Sequence, residues 1–187
     1  MNLPNKLTIV RIVLTPVFLL LFTTDFIPHH YVFALIVFVA ASLTDFADGR
    51  IARKHNLVTN FGKIADPIAD KILTTAILLC FMMNGLCDVW VIMIILTREF
   101  TVSAVRITAA SQGAVIPANI FGKIKTASQM LFSIFILAVI MFQNEGVFDF
   151  PHLTIVSEVL LWITAIFALI SGIIYVKDST KFIDFSK

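Results

Sequence analysis

Residues 45–71 read DFADGRIARKHNLVTNFGKIADPIADK. This stretch holds four carboxylates, Asp45, Asp48, Asp66 and Asp70, in an otherwise strongly apolar chain. Asp45 and Asp48 are three residues apart, and Asp66 and Asp70 are four apart. On helices both spacings place the pair on one face. Two helices can therefore present two carboxylates each to a shared point. Uncompensated, such charges in or near a membrane repel one another and are costly to desolvate. Divalent cations relieve that cost, and hard oxygen ligands suit Mg²⁺, Mn²⁺ or Ca²⁺ better than Zn²⁺.

Small residues lie between the pairs. Gly49 follows Asp48, Ala52 stands one turn later, and Gly62 lies one turn before Asp66. Glycine within a helical pattern lowers stability, which points to a packing or ligand reason. Here the missing side chains are expected to clear a slot for a phosphate or a ring. Arg50, Arg53, Lys54 and Lys63 line the same stretch and favour an anionic ligand. Metals, cations and a cleared slot together suggest a di- or triphosphate substrate. The plain alternative is a polar helix–loop–helix whose acids pair with nearby Arg and Lys.

The rest of the chain reads as a membrane scaffold. Apolar residues make up 59% and charged residues 14%, both displaced from the globular range in the membrane direction. A chain of 187 residues accommodates about six spans of ~20 residues with short loops. The expected class is all-α, a polytopic membrane protein with six transmembrane helices and a short N-terminal interfacial segment. A single domain over residues 1–187 is expected, with no room for a separate soluble one. No secretory leader is expected, because the first apolar run lacks a small-residue cleavage site.

The polar start Asn2–Lys6, with Pro4, can open a helix at the interface. The spans then read as Leu7–Phe22, Tyr31 to about Lys54, Phe61 to about Met83, Val89 to about Ala110, Phe121 to about Phe142, and Leu153 to about Val176. Arg11 and Pro16 interrupt the first, and Arg11 is expected to snorkel towards the headgroups. His29 and His30 make a poor metal site by themselves and read as a wet loop. Cys80 and Cys87 read as free, lipid-buried thiols rather than a disulfide. Arg98 lies near the middle of the fourth span, too deep to snorkel easily, and Glu99 beside it is expected to pair with a basic side chain. Anchoring at the membrane surface suffices to explain Lys123 and Lys125. The loops Thr23–His30, Asn84–Asp88 and Gln143–Pro151 contain no Lys or Arg. The positive-inside rule then puts both termini and the aspartates on the cytoplasmic side.

The pattern Asp45-x2-Asp48-Gly49-x2-Ala52-Arg53-x8-Gly62-x3-Asp66-x3-Asp70 resembles the full signature of the CDP-alcohol phosphotransferases, with all eight positions matched over 26 residues. The resemblance implies transfer of a phosphoryl-linked group from a CDP-linked donor to an alcohol, with release of CMP. It implies two Mg²⁺ ions, with Mn²⁺ as a substitute, held by Asp45, Asp48, Asp66 and Asp70, and Asp70 as general base. It implies a donor site at Gly49, Ala52, Arg53 and Gly62. The start Pro4-Asn5-Lys6-Leu7-Thr8-x2-Arg11 adds Asn5 and Thr8 to that site. That start, Thr97-Arg98-Glu99-Phe100 and Gly122-Lys123-x-Lys125-Thr126 resemble the bacterial members whose acceptor is glycerol 3-phosphate. Arg98, Arg106, Lys123 and Lys125 are then the candidates for the acceptor phosphate, and CDP-diacylglycerol is the expected donor. A homodimer in the bacterial cytoplasmic membrane is expected, with no nucleic-acid partner. Serine, inositol phosphate or phosphatidylglycerol are the rival acceptors. A cation or proton-coupled transporter is the rival class, disfavoured by acids clustered at one end and by the lack of a repeat.

Overall fold

A computed structural model describes residues 2–54, 59–112 and 120–181, with the side chains of residues 46–54, 60, 61, 63 and 64 outside the description. Six helices account for most of these residues: α1 (Leu3–Thr23), α2 (His30–Lys54), α3 (Asn60–Met83), α4 (Val89–Ser111), α5 (Ile120–Asn144) and α6 (Leu153–Ser179). No strand occurs among the described residues. Three of the helices, α1, α5 and α6, are long and apolar enough to cross a membrane on composition alone. α3 and α4 carry more charge along their length, Asp66, Asp70 and Lys71 in one and Arg98, Glu99 and Arg106 in the other.

The helix starts follow from local chemistry. The Asn2 side chain accepts a hydrogen bond from the Asn5 amide at 3.2 Å, and Pro4 stands in the first turn, where no amide is needed. The polar start is thus continuous with the first span. Thr59 caps α3 by accepting from the Gly62 amide at 3.0 Å, and Asp88 caps α4 by accepting from Trp90 at 2.9 Å. α3 and α5 end on Gly85 and Gly146, both at φ +69°. An added Cβ would meet nothing within 4 Å at either, so the left-handed backbone rather than space explains these glycines. Pro16 does not break α1, which runs unbroken to Thr23.

α1 packs against α2 and α3, α5 against α6 and α2, and α4 against α6. The buried residues of α1 are Pro4, Asn5, Thr8, Arg11, Thr15, Phe18 and Phe22. From Thr8 onward their spacing alternates three and four, which is one helical face. The opposite face exposes Ile9, Val10, Val13, Val17 and Leu20. Apolar residues outside and polar ones inside is the arrangement a bilayer demands of a helix lining a polar site. The buried face is aromatic in the half towards Thr23: Phe18 lies 5.9 Å from Phe22 and 5.4 Å from Phe38, ring centre to ring centre. Leu73, Ile77 and Phe81 of α3 belong to the same core. The half towards Leu3 is polar, with Asn5, Thr8, Arg11 and Thr15 buried.

The histidines do not converge. His29 meets the Glu145 carboxylate, while His30 is buried, 3.1 Å from the Leu21 carbonyl and 4.0 Å from the Tyr31 ring. Cys80 and Cys87 are free and buried. Burial, with Asp88 and Glu158 adding to it, pushes the Cys87 thiol up to about 12.

Candidate active site

Three helices bring charged residues to one level. Arg11 lies eight residues into α1, Asp45 nine residues before the end of α2, and Asp70 ten residues into α3. At ~1.5 Å per residue all three lie ~12–15 Å from the same end of the bundle. Arg11 Nη1 sits 2.7 Å from Asp45 Oδ1, with the arginine side chain 0% and the aspartate 42% exposed. The expectation that Arg11 snorkels is therefore corrected: it turns inward, because a carboxylate on the next helix compensates it there. The Thr8 hydroxyl donates to Asp66 Oδ1, one turn nearer the shared end. Thr59 donates to Asn5 Oδ1 at 2.9 Å. α1 thus contacts both halves of the motif through Asn5, Thr8 and Arg11.

Gly62 is buried at this junction. A Cβ there would lie 3.2 Å from Asn5 Oδ1, 3.3 Å from Thr59 Oγ1 and 3.5 Å from Asp66 Oδ2. The first two are tighter than ordinary van der Waals contact, so the close approach of α1 and α3 is one reason for glycine at this position. Asp48, Gly49, Ala52 and Arg53 are helical, in the last three turns of α2, and their side chains lie outside the described residues. Among the described residues no three acidic, histidine or cysteine side chains gather closely enough to form a metal centre. The donor chemistry nonetheless fits a hard divalent cation: carboxylate oxygens, with hydroxyl and amide oxygens beside them and, among the described residues, no thiol or imidazole.

A second cluster lies on α4, α5 and α6. Glu99 Oε1 accepts from Arg98 Nη1 at 3.0 Å and from Lys125 Nζ at 2.6 Å. Lys125 is buried, its side chain 3% exposed, and Glu99 is the partner that makes this tolerable. Arg98 Nε also donates to Ser171 at 3.0 Å, and its Cγ would lie 3.1 Å from a Cβ added at Gly172. Arg106 Nε donates to the Tyr175 hydroxyl at 3.2 Å, with the guanidinium 5.4 Å from that ring. Lys123 is exposed. Of the four cations read as acceptor ligands, the structure brings Arg98 and Lys125 to one carboxylate, sets Arg106 against α6, and leaves Lys123 on the surface.

The two clusters meet at Asp70 and Lys71. Asp70 lies within electrostatic reach of Asp45, Arg11, Glu99 and Lys125. Lys71 lies within reach of Glu99, Asp70, Arg98 and Arg106, donates to the Ser103 hydroxyl, and sits 5.2 Å from the Phe100 ring centre. Sequence reading missed the roles of Arg11, Thr59, Lys71, Ser103 and Tyr175. A signal existed for the first: Asn5, Thr8, Arg11 and Thr15 recur at helical spacing in an apolar span. A groove of about 690 Å³ between α4 and α6 is lined by Trp90, Met93, Thr97, Arg98, Ile173 and Lys177, so it borders the second cluster at Arg98; among the described residues no aspartate of the motif is in its wall.

Comparison with known proteins places this geometry. Residues 1–170 match the family CDP-alcohol phosphatidyltransferase. The chain is 38% identical over 183 residues to the CDP-diacylglycerol--glycerol-3-phosphate 3-phosphatidyltransferase of Bacillus subtilis (strain 168), covering 91% of each chain. It is 40% identical over 181 residues to the protein of that name from Rickettsia bellii (strain RML369-C), covering 97% of each. To the Treponema pallidum (strain Nichols) protein of that name it is 33% identical over 147 residues, covering 77% of this chain and 68% of the relative. With its signature aspartates set on facing helices and its match running over most of its length, the chain belongs to the CDP-alcohol phosphatidyltransferase family.

Proposed function

We propose that the chain transfers the phosphatidyl group of CDP-diacylglycerol to glycerol 3-phosphate, giving phosphatidylglycerophosphate and CMP. The observation that carries this reading is the alignment, over more than nine-tenths of both chains, with relatives that bear the name of that reaction. Beside it stand the eight-position motif and a cation cluster within electrostatic reach of it, suited to a phosphorylated acceptor.

The residues have distinct tasks in this reading. Asp45, Asp48, Asp66 and Asp70 would hold two Mg²⁺ ions, or Mn²⁺ in their place. Such ions, when bound, supply Lewis-acid stabilisation of phosphate charge. Arg11 and Thr8 fix the orientation of Asp45 and Asp66 from α1, so that these carboxylates need not reorganise on loading. Asn5, Thr8, Gly49, Ala52, Arg53 and Gly62 form the donor site, with Arg53 steadying cytidine or a phosphate. Asp70 takes the proton of the acceptor hydroxyl. The acceptor oxygen bonds to the phosphorus that carries diacylglycerol, the bond from that phosphorus to the CMP oxygen breaks, and CMP leaves with the electron pair. Arg98, Arg106, Lys123 and Lys125 supply the positive field that draws the acceptor phosphate.

The protein acts in this reading as a homodimer in the bacterial cytoplasmic membrane, with both termini and the site in the cytoplasm. The connections 24–29, 84–88 and 145–152 carry no Lys or Arg, which supports that orientation. The acyl chains of the donor stay in the bilayer while its headgroup reaches the aspartates at the interface.

The test is an acceptor screen. Protein in detergent receives CDP-diacylglycerol and Mg²⁺, then separately glycerol 3-phosphate, serine, inositol phosphate or phosphatidylglycerol, and CMP release is followed. Release with glycerol 3-phosphate alone is expected. Release with another acceptor alone would overturn the substrate assignment, and no release from folded protein would overturn the reaction.

A further inference from the structure

The cations near the aspartates differ in what already satisfies them. Arg98 and Lys125 share one carboxylate oxygen of Glu99. Lys71 and Arg106 are bound instead to neutral hydroxyls, those of Ser103 and Tyr175. Among the described residues, neither makes an ion pair within 4.0 Å of a carboxylate oxygen. Yet Lys71 lies within electrostatic reach of both Arg106 and Arg98. Like charges gathered around hydroxyl groups repel one another until an anion sits between them.

The charge balance points the same way. The cluster that meets at Lys71 holds four cations, Lys71, Arg98, Arg106 and Lys125, and two carboxylates, Glu99 and Asp70. An excess of two positive charges remains. A phosphate monoester carries ~1.5–2 negative charges near neutral pH and offers three acceptor oxygens. Ser103 and Arg106 are three residues apart on α4, hence on one face, and Lys71 meets that face from α3. Contact between α3 and α4 is slight beside that between α1 and α3, and Lys71 is only half-buried while Arg106 is exposed. The cations are thus not sealed within the packed core of the chain.

We propose that Lys71, with Ser103 and Arg106, grips the phosphate of the acceptor, and that its place next to Asp70 in the chain sets the acceptor hydroxyl at that carboxylate. This rests on the reading that the acceptor is phosphorylated. The Lys71 ammonium and the Asp70 carboxylate lie within electrostatic reach of each other, and a three-carbon alcohol phosphate is the kind of molecule that would bridge them, its phosphate at Lys71 and a hydroxyl at Asp70. Lys71 supplies binding and register, while Asp70 takes the proton.

The experiment compares wild type, Lys71→Met and Lys71→Arg, each checked for folding by thermal denaturation in detergent. CMP release is measured against glycerol 3-phosphate at saturating CDP-diacylglycerol, and against CDP-diacylglycerol at saturating acceptor. Binding of glycerol 3-phosphate alone is followed by calorimetry. For Lys71→Met the acceptor KM is expected to rise about 10- to 100-fold, the loss of one charge-assisted hydrogen bond, with the donor KM nearly unchanged. Calorimetric affinity is expected to fall by a similar factor, and Lys71→Arg to recover most of it. An unchanged acceptor KM, or equal rises in both KM values, would overturn the assignment. So would wild-type protein that turns over glycerol 3-phosphate while its affinity matches that of Lys71→Met. Wild-type protein that releases CMP only with serine would sink the phosphorylated-acceptor reading itself, a result separable from the variant comparison.

Discussion

The aspartate face of α1, α2 and α3 and the cation cluster of α4, α5 and α6 handle charge in opposite ways. On the first, the aspartates are supported from outside the motif: Arg11 reaches Asp45 and Thr8 reaches Asp66, both from α1. On the second, a single carboxylate, Glu99, is shared by two cations within the cluster and leaves a positive excess. The aspartate site is therefore left with capacity for added positive charge, and the cation cluster for added negative charge. A reaction between a metal-bound diphosphate and an anionic acceptor needs those two capacities side by side, and Asp70 and Lys71 are where they join.

Breaking the aspartate side is expected to have the largest effect. Asp66→Asn keeps an oxygen to accept the Thr8 hydroxyl but loses the charge for a metal. CMP release should fall to background while the melting temperature stays close to that of wild type. Turnover near the wild-type rate would remove Asp66 from the site.

The cation side should answer in stability rather than in rate alone. Glu99→Gln still accepts hydrogen bonds but leaves Arg98 and Lys125 uncompensated, and Lys125 is 3% exposed. A loss of about 2–3 kcal/mol is expected in denaturant melts, short of the ~3–5 kcal/mol seen when a buried pair loses a partner outright. No change in melting would mean that Glu99 does not neutralise the cluster.

Arg11→Met sharpens the comparison. Its stability effect should be smaller than that of Glu99→Gln, because Asp45 is 42% exposed and water replaces part of the pair. Turnover should still drop ~10- to 100-fold, the scale for residues that orient metal ligands, with Arg11→Lys retaining more. A stability loss larger than that of Glu99→Gln would reverse the contrast between the two regions.

The smallest effect is expected at Gly172→Ala. The new Cβ would press on Arg98 Cγ at 3.1 Å, while alanine gains ~1 kcal/mol of helix propensity over glycine. The two nearly cancel, so a melting temperature within a few degrees of wild type is expected. A large drop would show that Arg98 is clamped rather than adjustable.

What was legible in the sequence follows the same division. The motif aspartates lie three and four residues apart, so local helical geometry alone places each pair. The helix limits were readable to within a few residues because Asn2, Asp88, Gly85 and Gly146 mark them locally. Arg11 was misread because its partner is 34 residues away on another helix. The pairing of Glu99 with Lys125 spans 26 residues, and that of Lys71 with Ser103 spans 32. Such partners depend on which helices pack together, which periodicity within one span does not specify. Lys71 itself closes the quoted stretch, where the aspartates before it drew all the attention.

The inward polar face of α1 also constrains how the chain is made. A ribosome delivers α1 to the membrane before α2, so Arg11 arrives without Asp45. An arginine within an inserting helix is disfavoured, by up to ~2.5–3.5 kcal/mol at the helix centre on translocon scales. The counter-charge emerges 34 residues later, a delay of a few seconds at ~5–20 residues per second. The first helix should therefore settle in the bilayer only as one arm of a hairpin with the second. Chains stalled with α1 outside the ribosome and Asp45 still inside it should integrate α1 less completely than chains stalled after Asp45 has emerged, and the difference should vanish in Arg11→Leu.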